Sequence, residues 1–334
     1  MGEKILLAHG SGSRLSHDLI SKVLAPAVMN PLLARMDDSA VVELSGRLAF
    51  TTDSYVVNPI FFPGGDIGRL AVFGTVNDLS MSGARPLYIS LALIIEEGLD
   101  IDDLQIIMQS VGGAAAEAGV QVVTGDTKVV ERGKADRLFI NTAGIGLIEG
   151  TADISGSNAR PGDKIILSGG IGEHGMAVMS QREGLRFSLP VASDCAPLNH
   201  LVASMMAASN NIHSLRDPTR GGLACTLNEF ARQSDAGIVI DEDRIPVHDG
   251  VRGACELLGL DPLYIANEGK LVAAVVEGDA GCVLSAMREN KYARQAAVIG
   301  YVTSEHRGRV VMKTSIGSSR IIDMPVGEIL PRIC

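Results

Sequence analysis

No tryptophan occurs among the 334 residues, and aromatic side chains make up only 4% of them. Proteins that grip single-stranded nucleic acid or sugars stack them on aromatic faces, so the chain lacks the platform for either. Positive charge is also short. Lys and Arg number 29 against 39 Asp and Glu, leaving a formal net charge of −10 and a pI near 5.2. That balance argues against nucleic acid and acidic membrane surfaces as partners. No CxxC pair is present, and an odd count of five cysteines fits a reducing compartment better than a disulfide framework. Long apolar runs are missing too. The run in MGEKILLAHG is too short for a secretory h-region, and stretches such as Leu91–Ile95 fall far short of a membrane span. The expectation is a soluble cytoplasmic protein of about two domains.

What is present centres on residues 51–84, TTDSYVVNPIFFPGGDIGRLAVFGTVNDLSMSGA. A strand ending at Asp53 leads through a Gly-Gly-Asp turn into an apolar-periodic helix with Asn77 and Asp78 in its interior. A carboxylate facing a packed layer needs a neutralising partner. Just upstream, 40–44 and 48–52 read as an antiparallel hairpin around Ser45-Gly46. Counting outward from that turn sets Asp38 opposite Asp53, at a separation where like charges repel. Asp37 and Asp38 by themselves read as a solvated turn. The register count, with Asp78, favours a cation, and oxygen-only ligands without His or Cys point to Mg²⁺.

Taken in order, His9–Arg14 (HGSGSR) is a Gly/Ser segment that reads as a flexible arm, or as a loop whose backbone N–H groups approach phosphate. A short helix over 16–30 follows. Asp66 is a helix N-cap for 67–81. Strands are expected at 88–95, 121–125 and 139–148, with a helix at 101–118. This ββαβαββ pattern reads as an α+β domain with helices on one face of a sheet. In the second half, strands fall at 164–168, 238–240, 271–276, 297–302 and 310–312. The turn Gly170–Gly175 satisfies GxGxxG, but the strand needed before Asp194 contains Pro190, which argues against a dinucleotide site. A tight strand-to-helix turn, open to an anion, is the better reading. Asp217-Pro218 opens a helix, and Glu268 sits in a turn. The last stretch, IIDMPVGEILPRIC, cannot be helical. From Gly317 it reaches about 55 Å when extended. Its residues Ile329, Leu330 and Ile333 invite docking, and it ends in the thiol of Cys334, so it reads as a carrier arm.

HGSGSR, DDSAVVE, FTTDS, GGDIGRLAVFGTVNDLSMSGARP, VVTGDTKVV, DPTRGGLACTLNE, ANEGKL and the terminal PRIC carry a resemblance over essentially the whole chain. Together they resemble the carbamoyl dehydratase family of hydrogenase maturation factors. That family belongs to the superfamily of aminoimidazole ribonucleotide synthetase, selenophosphate synthetase and thiamine-monophosphate kinase. The aspartate motifs specify the superfamily, and the terminal Cys after Pro-Arg-Ile specifies the family. Ser13 departs from the pattern, where a second Gly is common.

The resemblance implies a two-domain α/β and α+β fold: an arm over 1–37, an ATP- and Mg²⁺-binding domain over 38–153, a C-terminal α+β domain over 154–316, and a flexible tail over 317–334. The first domain's mixed sheet would pair with its copy in a homodimer to make a barrel. Carried over by motif, Asp38, Asp53, Asp78, Asp126 and Asp217 would hold Mg²⁺. Thr52, Asn77, Thr124, Gly125 and Thr127 would line the ATP site. Lys134 and Glu268 would handle protons, and Cys334 would carry a carbamoyl group received from the carbamoyltransferase HypF. ATP-driven dehydration would turn it into a thiocyanate, whose cyanide passes to iron on the HypC–HypD complex. The rival readings are a small-molecule kinase or synthetase of the same superfamily, and a non-catalytic ATP-gated scaffold displaying a thiol.

Overall fold

A computed structural model describes residues 3–37, 39–185, 189–327 and 333. Asp38, Cys334 and the expected docking residues Ile329 and Leu330 lie outside the described residues.

The arm is anchored by Ile5, which is fully buried and donates its N–H to Leu99 O at 2.8 Å. The helix expected over 16–30 is shorter and starts earlier. α1 (Arg14–Leu19) passes into a wider π turn over Ile20–Leu24 and a 3-10 turn at Ala25–Ala27. Regular pairing cannot run through Pro26, which has no N–H to give.

β1 (Arg47–Tyr55) is followed by the two-residue strands β2 (Phe61–Phe62) and β3 (Gly65–Asp66). Asp66 then caps α2 (Ile67–Met81), its carboxylate accepting from Gly68 N at 2.8 Å and Arg69 N at 3.0 Å. β4 (Ala84–Glu96), α3 (Ile101–Ala118), β5 (Gln121–Val130) and β6 (Leu138–Ile148) complete the first domain. The sheet order is β1-β6-β4-β5, and only β4 and β5 are parallel, as the α3 crossover requires. α2 packs on β1, β6 and β4, and α3 packs on α2. The opposite face of the sheet is open and leaves Leu48, Phe50 and Ile94 exposed.

The expected hairpin does not form. Residues 40–45 make no ladder, and β1 pairs instead with β6, from Arg47 opposite Ile148 to Tyr55 opposite Ile140. An isolated two-stranded hairpin is marginal, whereas β6 offers β1 a nine-residue partner backed by a helix. The register that set Asp38 against Asp53 falls with the hairpin.

The second domain runs β7 (Lys164–Leu167), α4 (Glu173–Arg182), α5 (Asn199–Ala208), β8 (Ile212–Arg216), α6 (Gly222–Gln233) and β9 (Gly237–Asp241). It continues with α7 (Asp249–Leu258), β10 (Val272–Val275), α8 (Ala280–Glu289), β11 (Ala297–Thr303), β12 (Val310–Lys313) and β13 (Ser319–Ile322). Its sheet order is β13-β12-β9-β11-β7-β10-β8. Ile165 and Leu167 face the α6 core with Leu223 and Phe230, while Ile166 faces α5 and α8 with Met205 and Met287. Both faces are covered, which is why β7 and β10 read as continuous apolar runs. β13 corrects the expected tail: a turn at Gly317, φ 83°, folds Ser319–Ile322 back onto β12. Among the described residues no helix is long and apolar enough to cross a membrane.

Candidate functional site

Asp53 and Thr51 lie on the β1 face that meets α2. There Thr51 Oγ1 donates to Asp78 Oδ2 at 3.0 Å. Asp217 follows β8, and Glu268 stands in the loop before β10, only 3% exposed. These four acids feel one another. Burial, with Asp53 nearby, pushes Asp78 up to about 6, against the Thr51 hydrogen bond and the positive fields of Arg216 and Arg220. Burial and the charge of Asp78 push Asp217 up to about 7. Glu268 is held well above the carboxylate range by burial and then by Asp217, Asp194, Asp53 and Asp78. Its Oε1 is buried with no hydrogen-bond partner among the described residues.

The donor set is oxygen only, and repulsion plus an orphaned carboxylate oxygen are what a cation would relieve. Among the described residues, however, no three His, Cys, Asp or Glu converge closely enough to cage an ion. That combination fits Mg²⁺, which takes one or two carboxylates and completes its shell with water and phosphate oxygen.

Asp126 does not join this group. Across the sheet Asp53 faces Thr142, Thr142 faces Leu91, and Leu91 faces Gly125. Asp126 is one residue on, so it sits on the other face of the opposite edge strand, about 14 Å away. There it pairs with Lys128 at 3.0 Å, which holds its carboxyl below the usual range. Asn77 is also not free to line a nucleotide. It is 1% exposed, donates to Ala196 O (3.1 Å) and Glu268 O (3.3 Å), and accepts from Leu198 N (2.8 Å). Thr52 Oγ1 is turned to Thr142 O at 2.9 Å. Lys134 stands exposed on the loop between β5 and β6 and is brought to none of these acids by a hydrogen bond or ion pair.

Thr124, Gly125, Asp126 and Thr127 instead line a cavity of about 480 Å³ between β5 and the arm. His9, Gly10, Gly12 and Asp37 add polar and backbone groups to its lining, and Leu24, Leu33 and Met108 add apolar ones. A Cβ on Gly10 would meet Val129 N at 2.8 Å, so the small residue lets the arm lie against the strand.

The GxGxxG turn is not an anion site. Gly172 N donates to Asn267 Oδ1 (2.7 Å), Ile171 N to Pro246 O (3.1 Å) and Gly175 N to Ala266 O (3.1 Å). β7 is antiparallel to both its neighbours, which removes the parallel pair a dinucleotide fold needs. The turn's real product is Glu173 and His174. Lys270 Nζ meets Glu173 at 2.8 Å and Asp194 at 3.2 Å. Burial opposes its charge, but Asp194 and Glu173 outweigh that and keep its pKa above the lysine range. Asp194 also accepts from Glu268 N (3.1 Å) and Gly269 N (3.2 Å).

Models of the AIR synthase related protein match residues 36–148 with its N-terminal domain and 160–313 with its C-terminal domain. The carbamoyl dehydratase HypE of Bradyrhizobium diazoefficiens is 54% identical over 330 residues, 98% of this chain and 95% of that one. The chain belongs to the HypE family of carbamoyl dehydratases. A hydrogenase maturation protein HypE crystallised in complex with ATP superimposes with a TM-score of 0.96, at 52% identity, covering 98% of this chain and 99% of that one. The HypE of a HypE–HypF complex gives 0.82 at 50% identity, covering 92% and 99%. Within this HypE-type frame, Glu173, His174, Ser193 and Lys270 are residues that motif reading missed. The one available signal was a strand-to-helix turn carrying Glu-His where a phosphate loop would carry small residues.

Proposed function

We propose that the chain uses ATP to dehydrate an S-carbamoyl group on Cys334 to a thiocyanate, supplying cyanide for the iron of a [NiFe] hydrogenase. The observation that carries this reading is Ile333, 4% exposed and counted in the first domain's core, its carbonyl oxygen 2.8 Å from His174 Nε2. A residue next to Cys334 that is buried against His174, whose ring shares the field of Asp194 with Glu268, has the form expected of a substrate arm.

An amide oxygen is a poor leaving group. Transfer of the γ-phosphoryl to it breaks the bond to ADP and makes the oxygen part of a phosphate. The C–O bond then breaks, both N–H protons leave, and the third C–N bond forms, so carbamoyl plus ATP yields thiocyanate, ADP and phosphate. Glu268, whose proton affinity burial has raised, suits the first proton, and Lys134, on the loop between β5 and β6, is the candidate for the second. Asp53, Asp78 and Asp217, with Asp38, are the residues to hold Mg²⁺, which when bound would neutralise phosphate charge. The cavity beside Thr124–Thr127 is the place proposed for the nucleotide.

A homodimer belongs to the same reading. Phe50, 72% exposed, and Leu48, 47%, stand on the open face of the first sheet, whose β1 edge is unpaired among the described residues. Pairing of that face between two copies would bury both side chains. HypF is the proposed carbamoyl donor and the HypC–HypD complex the cyanide acceptor.

Intact mass after carbamoylation by HypF, with and without Mg-ATP, tests the proposal against a Cys334→Ala control. The adduct should lose one water only with ATP, and the control should carry none. ATP turnover with an unchanged tail mass would instead favour a kinase or synthetase acting on a free substrate; nucleotide binding without turnover would favour the scaffold.

A further inference from the structure

His174 is fully buried, and both its ring nitrogens are used. Nε2 lies 2.8 Å from Ile333 O and Nδ1 lies 2.8 Å from Ser193 Oγ. A carbonyl oxygen only accepts, so Nε2 carries the proton, and the lone pair on Nδ1 takes the Ser193 hydroxyl. Ser193 is itself held. Its N–H donates to Pro63 O at 2.7 Å, and its Oγ accepts from Cys195 N at 3.1 Å. The Phe62 ring meets the imidazole edge-on, centroids 5.3 Å apart. Burial lowers the His174 pKa, which keeps the ring in this neutral form.

The carbonyl that His174 holds belongs to the peptide bond linking Ile333 to Cys334. Holding that oxygen restrains the peptide that leads into Cys334. The residue after Ser193 is Asp194, which receives the N–H groups of Glu268 and Gly269. One dipeptide therefore orients both the ring that grips the tail and the loop that carries Glu268.

We propose that His174 is a positioning residue, a latch that holds the last peptide of the tail and sets Cys334 against Glu268 while the carbamoyl group is dehydrated. The latch rests on the dehydratase reading for its purpose but not for its existence. Gln places an amide N–H at the same distance along the side chain as Nε2. Asn reaches only to the Nδ1 position, and Phe keeps the ring packing without either polar atom.

With Mg²⁺ and a non-hydrolysable ATP analogue bound, Cys334 alkylation by iodoacetamide is followed by peptide-level mass spectrometry, which separates it from the exposed Cys282. The rate should rise about tenfold in His174→Phe and His174→Asn, the loss of roughly one hydrogen bond, and stay near wild type in His174→Gln. The single-turnover loss of water from the carbamoyl adduct should fall in the same order, with analogue affinity unchanged. Equal alkylation rates in all variants, or His174→Gln behaving as His174→Phe does, would overturn the latch. Should the Phe variant not fold, His174→Gln against His174→Asn, with Ser193→Ala, decides the question. A wild-type adduct that never loses water would sink the dehydratase reading alone, since the alkylation comparison stands without it.

Discussion

Asn77 Nδ2 lies 3.3 Å from the carbonyl oxygen of Glu268, so a helix of the first domain holds the loop of the second that carries a candidate base. The same side chain also binds Ala196 O and Leu198 N. Asn77→Leu keeps the volume but strands one buried N–H and two carbonyls. The expected cost is about 2 to 4 kcal/mol, measured by urea unfolding, with dehydration reduced more than nucleotide binding. A loss of affinity for ATP with unchanged stability would show that Asn77 touches the nucleotide after all.

The acid cluster makes stability depend on pH in a definite direction. The pKa of Asp78 is raised from 3.8 to about 6 and that of Asp217 from 3.8 to about 7. Below pH 4 both states are protonated and nothing is lost. As pH rises towards 7 the unfolded state ionises freely and the folded state only at a cost, so stability falls across that window. Asp78→Asn, which still accepts from Thr51, should be more stable than wild type at pH 7.5 by about 1 to 3 kcal/mol and melt higher, with the gap closing near pH 4. Mg²⁺ should raise the wild-type melting temperature at pH 7.5 and do so less in the variant. Calorimetry across pH with and without Mg²⁺ reads both effects; a gap independent of pH would mean the acids do not repel as described.

Phe50 is the most exposed large hydrophobic side chain described on the open sheet face, on a row with Leu48 and Thr52. A charge there should not disturb the core but should break a face-to-face pairing. Phe50→Asp is expected to sediment as a monomer where wild type sediments as a dimer, with melting of the monomer little changed. A wild-type monomer at micromolar concentration would remove the homodimer from the proposal.

Much of the fold could be read from local pattern. The α2 boundaries follow from Asp66 as a cap and the apolar period behind it, and α3 matches its expected span residue for residue. The strands of the second sheet announce themselves as short apolar runs because both faces are covered. Where local pattern misleads, the cause is long-range pairing. Local turn chemistry favours a hairpin at 40–52, but strand pairing is decided by which edge offers the most buried ladder, and β6 lies some ninety residues away. The resemblance groups Asp126 with Asp53, while within one chain three sheet spacings separate them, a distance no motif contains.

By itself the sequence determined the kinds of atoms available: oxygen ligands without His or Cys beside them, a small-residue arm, a cationless apolar tail end save for Arg332, and a final thiol. Those are properties of composition and spacing, and they need no fold to be true. Only the tertiary structure decided which acids share a field, that Asn77 braces rather than binds, and that His174 meets Ile333. Each of those contacts joins residues from separate elements, and such distances are set by how the two sheets and their helices pack, which no local window contains.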